Sequence, residues 1–231
     1  MKLTPRLLTI AKFVPPKSVV ADVGTDHGYI PVYLIENKIA QKVIATDVNE
    51  GPLYSAQTAI KTYGMGDYIE TRLGNGLAPI KSNEVDTVII AGMGGLLIRD
   101  ILMRHMDVTK SVNRFILQPM VAQDELRRWL IQNDFKIVDE KLVREEHRIY
   151  EIMVVEHGMQ NIDDEIYFEI GQKLIENKDL LLESFIKKHI KKQNEIINNL
   201  SDQETENAKK KLKECKKKAE KLEEVLRWVK S

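Results

Sequence analysis

Five short runs of apolar and β-branched residues, alternating with helical patterns, set the tightest limit on what this chain can fold into. They are SVVADVG (18–24), KVIATD (42–47), YIETRLG (68–74), VDTVIIAG (85–92) and RFILQP (114–119). Each reads as a buried strand bounded by turn residues. Helical patterns occupy roughly 28–37, 51–63, 95–106 and 122–133. Strands that alternate with helices predict a parallel sheet covered on both faces. Two longer runs, FKIVDEKLVRE and RIYEIMVVEHG, are joined by EEH with no room for a crossover helix. They predict an antiparallel pair at one sheet edge. The expected fold class is therefore α/β, a Rossmann-like domain over residues 1–158 with a seven-stranded, mostly parallel sheet and an antiparallel edge hairpin.

Composition shifts after Gly158. The remainder is rich in Lys, Glu, Asn, Ile and Leu. Leu212, Cys215, Ala219, Leu222, Leu226 and Val229 step by three and four, the spacing of a coiled-coil seam. An earlier stripe runs through Ile170, Leu174, Leu181, Phe185, Ile190 and Ile197, and NNLSDQETEN (198–207) between the stripes is polar and turn-like. Residues 159–231 are thus expected to form a helical coiled-coil hairpin.

The bulk numbers exclude several classes. No run of about 18 apolar residues exists, so no membrane span is expected, and MKLTPRLLTIAKF is too polar for a signal peptide. The lone cysteine, Cys215, cannot form an internal disulfide, and no Cys/His cluster has metal spacing. A reducing, cytoplasmic setting and no metal follow as expectations. The net charge of +0 argues against a uniformly basic surface but leaves room for local basic patches.

The turn after the first strand carries chemistry. A dinucleotide fingerprint needs glycines where a pyrophosphate meets bare backbone. Here the order is Gly24-Thr25-Asp26-His27-Gly28, preceded by Asp22. Asp26 fills the second glycine position, and a carboxylate there repels a phosphate. This argues against a nicotinamide-dependent oxidoreductase. A sulfonium donor reverses the sign: S-adenosylmethionine has a positive sulfur, an amino acid tail and no phosphate. Asp47 ends the second strand, the usual place for an acid that takes two ribose hydroxyls; alternatively it caps the following helix. Asn75, between Gly74 and Gly76, could read an adenine edge or simply make an Asn-Gly turn. The fourth loop, AGMGG (91–95), offers open backbone on which a flat base can lie. It lacks the Asn/Asp-Pro-Pro-aromatic loop that many adenine-amine methylating enzymes carry. A ring nitrogen, with its in-plane lone pair, needs mainly alignment and desolvation.

The chain resembles the bacterial tRNA (adenine-N1)-methyltransferase family that acts on adenine 22 in the D-arm. The resemblance rests on LTPRLLTIAKFVP, VADVGTDHGYIPVYL, ATDVNEGPL, RLGNGL, IIAGMGG, ILQPM and EEHRIYEIMVVE, which with the helical tail cover nearly the full length. It implies a class I methyltransferase with a C-terminal coiled-coil domain, S-adenosylmethionine as donor and tRNA as acceptor. It places cofactor roles on Asp22, Gly24, Gly28, Asp47, Asn75, Gly76, Gly92 and Met93. The acceptor side falls to Arg6, His27, Met93 and Gly94. Arg6 faces the donor's carboxylate or a tRNA phosphate, or else is a solvated helix arginine. Asp26 is the expected catalytic group: it accepts a hydrogen bond from the adenine amine, or takes its proton once N1 carries the methyl. His27 is expected to stack on or bond the base, or else is a satisfied histidine at the start of a helix.

The target base must leave its stack for its Watson–Crick edge to react. The motifs bind the donor and say little about the acceptor, so a same-fold enzyme acting on rRNA, protein or a small molecule stays open at this point. Two basic patches are candidates for tRNA phosphates: the tail, with KKHIKK (187–192) and the lysines from Lys209 to Lys218, and the pair Arg127 and Arg128 beside Trp129. A monomer is expected, with a homodimer left open.

Overall fold

The structure, a computed structural model, describes residues 1–201, 203 and 205–230. It divides into two compact units, Met1–Asn161 and Ile162–Ser231. The first unit runs α1 (Pro5–Lys12), β1 (Ser18–Val23), α2 (Tyr29–Glu36), β2 (Ala40–Asp47), α3 (Glu50–Thr62), β3 (Ile69–Leu73) and β4 (Thr87–Met93). It continues with α4 (Gly95–Arg104), α5 (Met106–Ser111), β5 (Arg114–Pro119), α6 (Gln123–Gln132), β6 (Phe135–Glu145) and β7 (Arg148–His157).

The strands form one seven-stranded sheet in the order β3-β2-β1-β4-β5-β7-β6. β1 to β5 are parallel; β7 runs antiparallel to both β5 and β6. Only Glu146 and His147 separate β6 from β7, so the edge hairpin read from EEH is present. Side chains on a strand point alternately to opposite faces, and the core divides accordingly. Ala21, Val23, Val88, Ile90, Phe115 and Leu117 join Ile98, Leu102, Leu126 and Leu130 of α4 and α6. Val20, Val43, Ile89 and Ile116 join Ile10 of α1, Ile30 and Leu34 of α2 and Ile60 of α3. Helices on both faces cover β1, β2, β4 and β5, which is why their runs are largely apolar; β3, expected as a buried strand, lies at the sheet edge with Glu70 and Leu73 exposed.

Several expectations need correction in this unit and the next. The segment expected as one helix over 95–106 stops at Arg104, because His105 (φ −129, ψ 57) leaves helical geometry before α5 begins. Arg127 is no surface patch. The residue is 1 % exposed, and it donates from Nε to Glu140 at 2.9 Å and from Nη2 to Glu151 at 2.6 Å. Helix phase turns Arg127 inward beside Leu126 and Leu130, and two acids from β6 and β7 neutralise it.

The second unit holds α7 (Ile166–Ile170), α8 (Gln172–Glu176), α9 (Leu182–Leu200) and α10 (Glu206–Lys230). The early stripe is not one helix: Gly171 (φ 78) ends α7, and the turn at Asn177–Lys178 (Lys178 φ 48) ends α8. On α9 the buried face is Leu182, Phe185, Ile186 and Gln193 rather than the predicted Ile190 and Ile197. On α10, Cys215, Ala219 and Leu222 are buried with Ala208 and Val225. α9 and α10 pack on each other. The turn read at 198–207 narrows to the five residues between the two helices, of which Asp202 and Glu204 lie outside the described residues. Among the described residues no helix is long and apolar enough to cross a membrane.

Candidate active site

The strand order reverses direction between β1 and β4, and α/β sheets of this kind bind ligands outside the carboxyl ends of the strands at such a point. A cavity of about 550 Å³ opens there, within the range of about 300–1,000 Å³ usual for small-molecule sites. It is walled by the ends of β1, β2 and β4, the turn after β3, and residues Arg6 and Leu7 of α1.

Asp22 is 4 % exposed. Thr25 Oγ1 donates to its Oδ2 at 2.7 Å. Burial pushes its carboxyl pKa up to about 6; the Thr25 hydrogen bond pulls the other way, and the nearby Asp47 charge adds to the rise. The turn beyond it stays paired to the sheet, since the Gly24 and Thr25 amides both donate to Thr46 O at 2.8 and 2.9 Å. Gly24 has φ 75, and a Cβ there would sit 2.4 Å from Met93 Cε. The left-handed backbone favours glycine there, and any side chain would also displace the Met93 methyl. Asp26 also adopts a left-handed backbone, φ 53, which Asp tolerates better than most residues.

The Asp26 side chain is 69 % exposed, with Oδ1 3.7 Å from His27 Nε2. Its amide donates to Asp47 Oδ2 at 3.4 Å, tying the turn to the end of β2. The other Asp47 oxygen accepts the Asn49 amide at 2.9 Å. Asp47 therefore orders the entry to α3 as well as facing the cavity. The cap itself is Asn49, which makes no side-chain cap bond. His27 stacks on Tyr29, with ring centroids 5.2 Å apart and planes 27° apart.

Asp22, Gly24, Asp26, His27, Asp47, Asn75, Gly76, Gly92, Met93 and Arg6 all line this one cavity. Two predicted residues do not. Gly28 sits just behind as the N-cap of α2, and Gly94 is the N-cap of α4, facing Val121 rather than the cavity. The sequence reading also missed lining residues: Thr25, Tyr29, Val48, Leu97 and Met120. Val48 directly follows the β2 acid and Met120 ends the quoted ILQPM run, so both positions were visible. An apolar side chain in a loop simply carries no chemical signature. Among the described residues no group of three or more His, Cys, Asp or Glu is placed to hold a metal ion.

Comparison with known proteins shows the family. Residues 3–153 match a family described as a methyltransferase domain. The tRNA (adenine(22)-N(1))-methyltransferase of Bacillus subtilis is 35% identical over 98% of this chain and 98% of its own length. The crystal structure of the B. subtilis M1A22 tRNA methyltransferase TrmK superposes with a TM-score of 0.90 at 34% identity, covering 97% of this chain and 99% of that one. The structure of M. capricolum TrmK in complex with the cofactor product S-adenosyl-homocysteine has a TM-score of 0.86 at 27% identity, covering 99% of this chain and 100% of that one. The chain belongs to the tRNA (adenine(22)-N1)-methyltransferase family.

Proposed function

We propose that this chain transfers a methyl group from S-adenosylmethionine to N1 of adenine 22 in tRNA, acting as a monomer in the cytoplasm. The observation that carries this reading is the meeting of Asp22, Asp47 and Asn75 in one cavity beneath an acidic glycine turn. Such a cavity opposes a phosphate and suits a cationic donor. The donor supplies a methyl carbon on a sulfonium; the adenine N1 lone pair forms the new C–N bond while the C–S electrons stay on sulfur.

The residues divide the remaining work. Asp22, buried and held by Thr25, offers a carboxylate to the donor's ammonium. Asp47, at the end of β2, offers its oxygens to the ribose hydroxyls, and Asn75 with Gly76 meets the donor's adenine. Gly24 keeps the backbone low enough for close approach, and Gly28 starts α2 behind it. Gly92 and Met93 form the surface on which the target base lies, and Gly94 contributes only by starting α4. His27, stacked on Tyr29, supports the base from the turn, and Arg6 meets an anionic group. Asp26, the most solvent-facing of the three acids, accepts from the target's amine or takes its proton.

The second unit is read as a tRNA contact. Lys187, Lys188, Lys191 and Lys192 on α9 and Lys209 to Lys217 on α10 present exposed ammonium groups suited to a phosphate backbone. Removing residues 162–231 is expected to leave donor affinity unchanged and to weaken tRNA binding by at least about tenfold. Wild-type tRNA affinity in a filter-binding assay would make that unit structural only.

Nucleoside mass spectrometry of a tRNA transcript incubated with isotope-labelled donor tests the central reading. Labelled N1-methyladenosine at position 22 is expected. Label elsewhere, or none, rejects it. Asp26→Asn keeps size and loses the base; it is expected to slow single-turnover transfer about 100-fold with donor affinity intact. Full single-turnover activity would remove Asp26 from the chemistry.

A further inference from the structure

The penultimate residue of β5 is one that the reading above does not use. Gln118 is 0 % exposed and follows Phe115, Ile116 and Leu117, all buried apolar. A buried amide must have partners, and those of Gln118 are specific. Its Nε2 donates to Pro119 O at 3.0 Å and approaches Met120 Sδ at 3.5 Å. Its Oε1 accepts from Arg6 Nη1 at 2.7 Å. A guanidinium only donates, so the amide atom facing Arg6 must be the oxygen. The strand's own continuation absorbs the amide donors and aims that oxygen at α1.

Arg6 is constrained from other sides too. Its backbone amide donates to Glu145 Oε2 at 3.1 Å, at the tip of the edge hairpin. Its guanidinium carbon lies 5.3 Å from the centre of the Tyr150 ring. Nη1 would lie 3.9 Å from a Cβ at Gly92, so the charge reaches the β4 loop. Arg6 Nε is buried and has no hydrogen-bond partner; Glu145 Oε1, 4.0 Å away, is too distant to accept. Arg6 thus forms a loose ion pair with Glu145 through Nε, while its preoriented guanidinium lines the cavity, where it suits an incoming oxyanion. Both reaction partners carry one, the donor a carboxylate and the tRNA its phosphates.

We propose that Gln118 is a positioning residue. It touches neither ligand but holds the Arg6 guanidinium at the β4 side of the cavity to receive an oxyanion of one reaction partner. This rests on the methyl-transfer reading above. The test compares Gln118→Met, Arg6→Ala and the double variant by calorimetric donor affinity and by KM and kcat for tRNA at several salt concentrations. Both single variants are expected to raise the same constant at least about tenfold, with kcat within about twofold, and the double variant to be no worse than Arg6→Ala.

If that constant is the tRNA KM, with the salt slope reduced by about one, the oxyanion is a phosphate. If it is the donor affinity, and the loss disappears with decarboxylated S-adenosylmethionine, it is the carboxylate. Should Gln118→Met fail to fold, Gln118→Glu restores an acceptor for Arg6 and is expected to bind within about threefold of wild type. Unchanged constants in the Gln118 variants while Arg6→Ala is impaired, or additive losses in the double variant, overturn the assignment. Wild-type methylation of adenine 22 in the same assay separates that outcome from failure of the underlying reading.

Discussion

Asp22→Asn will lose donor affinity on the order of 100-fold and yet melt later than the wild type when no ligand is present. The two effects have one cause. Burial raises the Asp22 pKa from 3.8 to about 6, which corresponds to a penalty of roughly 3 kcal/mol on the charged form in the ligand-free fold. Folding here raises the pKa, so the folded protein binds that proton more tightly than the unfolded chain does. The penalty is absent below about pH 3.8, grows as pH rises, and is complete above about pH 6. Asparagine keeps an oxygen for Thr25 and carries no charge. The ligand-free variant should therefore gain several degrees in melting temperature at pH 7.5, with the gain shrinking toward pH 4. Calorimetry reads both quantities. Unchanged donor affinity would take Asp22 out of the binding site, and a lower melting temperature at pH 7.5 would mean that burial is not its dominant influence.

Gly95→Ala is expected to destabilise the first unit by more than about 3 kcal/mol. An added Cβ would lie 2.2 Å from Ala122 O, 2.9 Å from Ala122 C and 3.0 Å from Val121 O. All three are backbone atoms, so no change of rotamer relieves the clash. The Gly95 amide also donates to Val121 O at 2.8 Å, which binds the start of α4 to the turn ahead of α6. Forcing these apart pulls Ile98, Ile101 and Leu102 out of register with the sheet. Gly94→Ala is the matched control: its Cβ would meet only Val121 Cγ2, at 3.5 Å, an ordinary contact. A urea midpoint that falls sharply for Gly95→Ala and barely for Gly94→Ala is the expected pattern; equal midpoints would contradict it.

Much of the first unit was legible in the sequence because its signals are local. Strands buried on both faces announce themselves as apolar runs, and the edge hairpin showed as two strands with no residues to spare for a helix. The acids at 22, 26 and 47 were legible because a carboxylate in a glycine turn conflicts with the commoner phosphate-binding use of that turn. What was not legible depends on partners far along the chain. Arg127 and Arg128 look alike in sequence. Only the later Glu140 and Glu151 decide that Arg127 is buried. Gly94 and Gly95 look alike too, and the position of Ala122 separates them. In the second unit the apolar stripe continued across Gly171 and Lys178 as though nothing intervened, because three-and-four spacing is indifferent to a one-residue break.

The Arg6 contacts bear on the order in which the molecule is made. Arg6 is 112 residues from Gln118 and 139 from Glu145 along the chain. The turn from Asp22 to Asp47 can close soon after it leaves the ribosome, since it pairs neighbouring strands. The opposite wall cannot exist until residue 150 has been synthesised and the hairpin has docked, because long closures come late. The nascent chain therefore exposes its acidic half-site first. The site is complete only when α1 meets β5 and the tip of the β6–β7 hairpin.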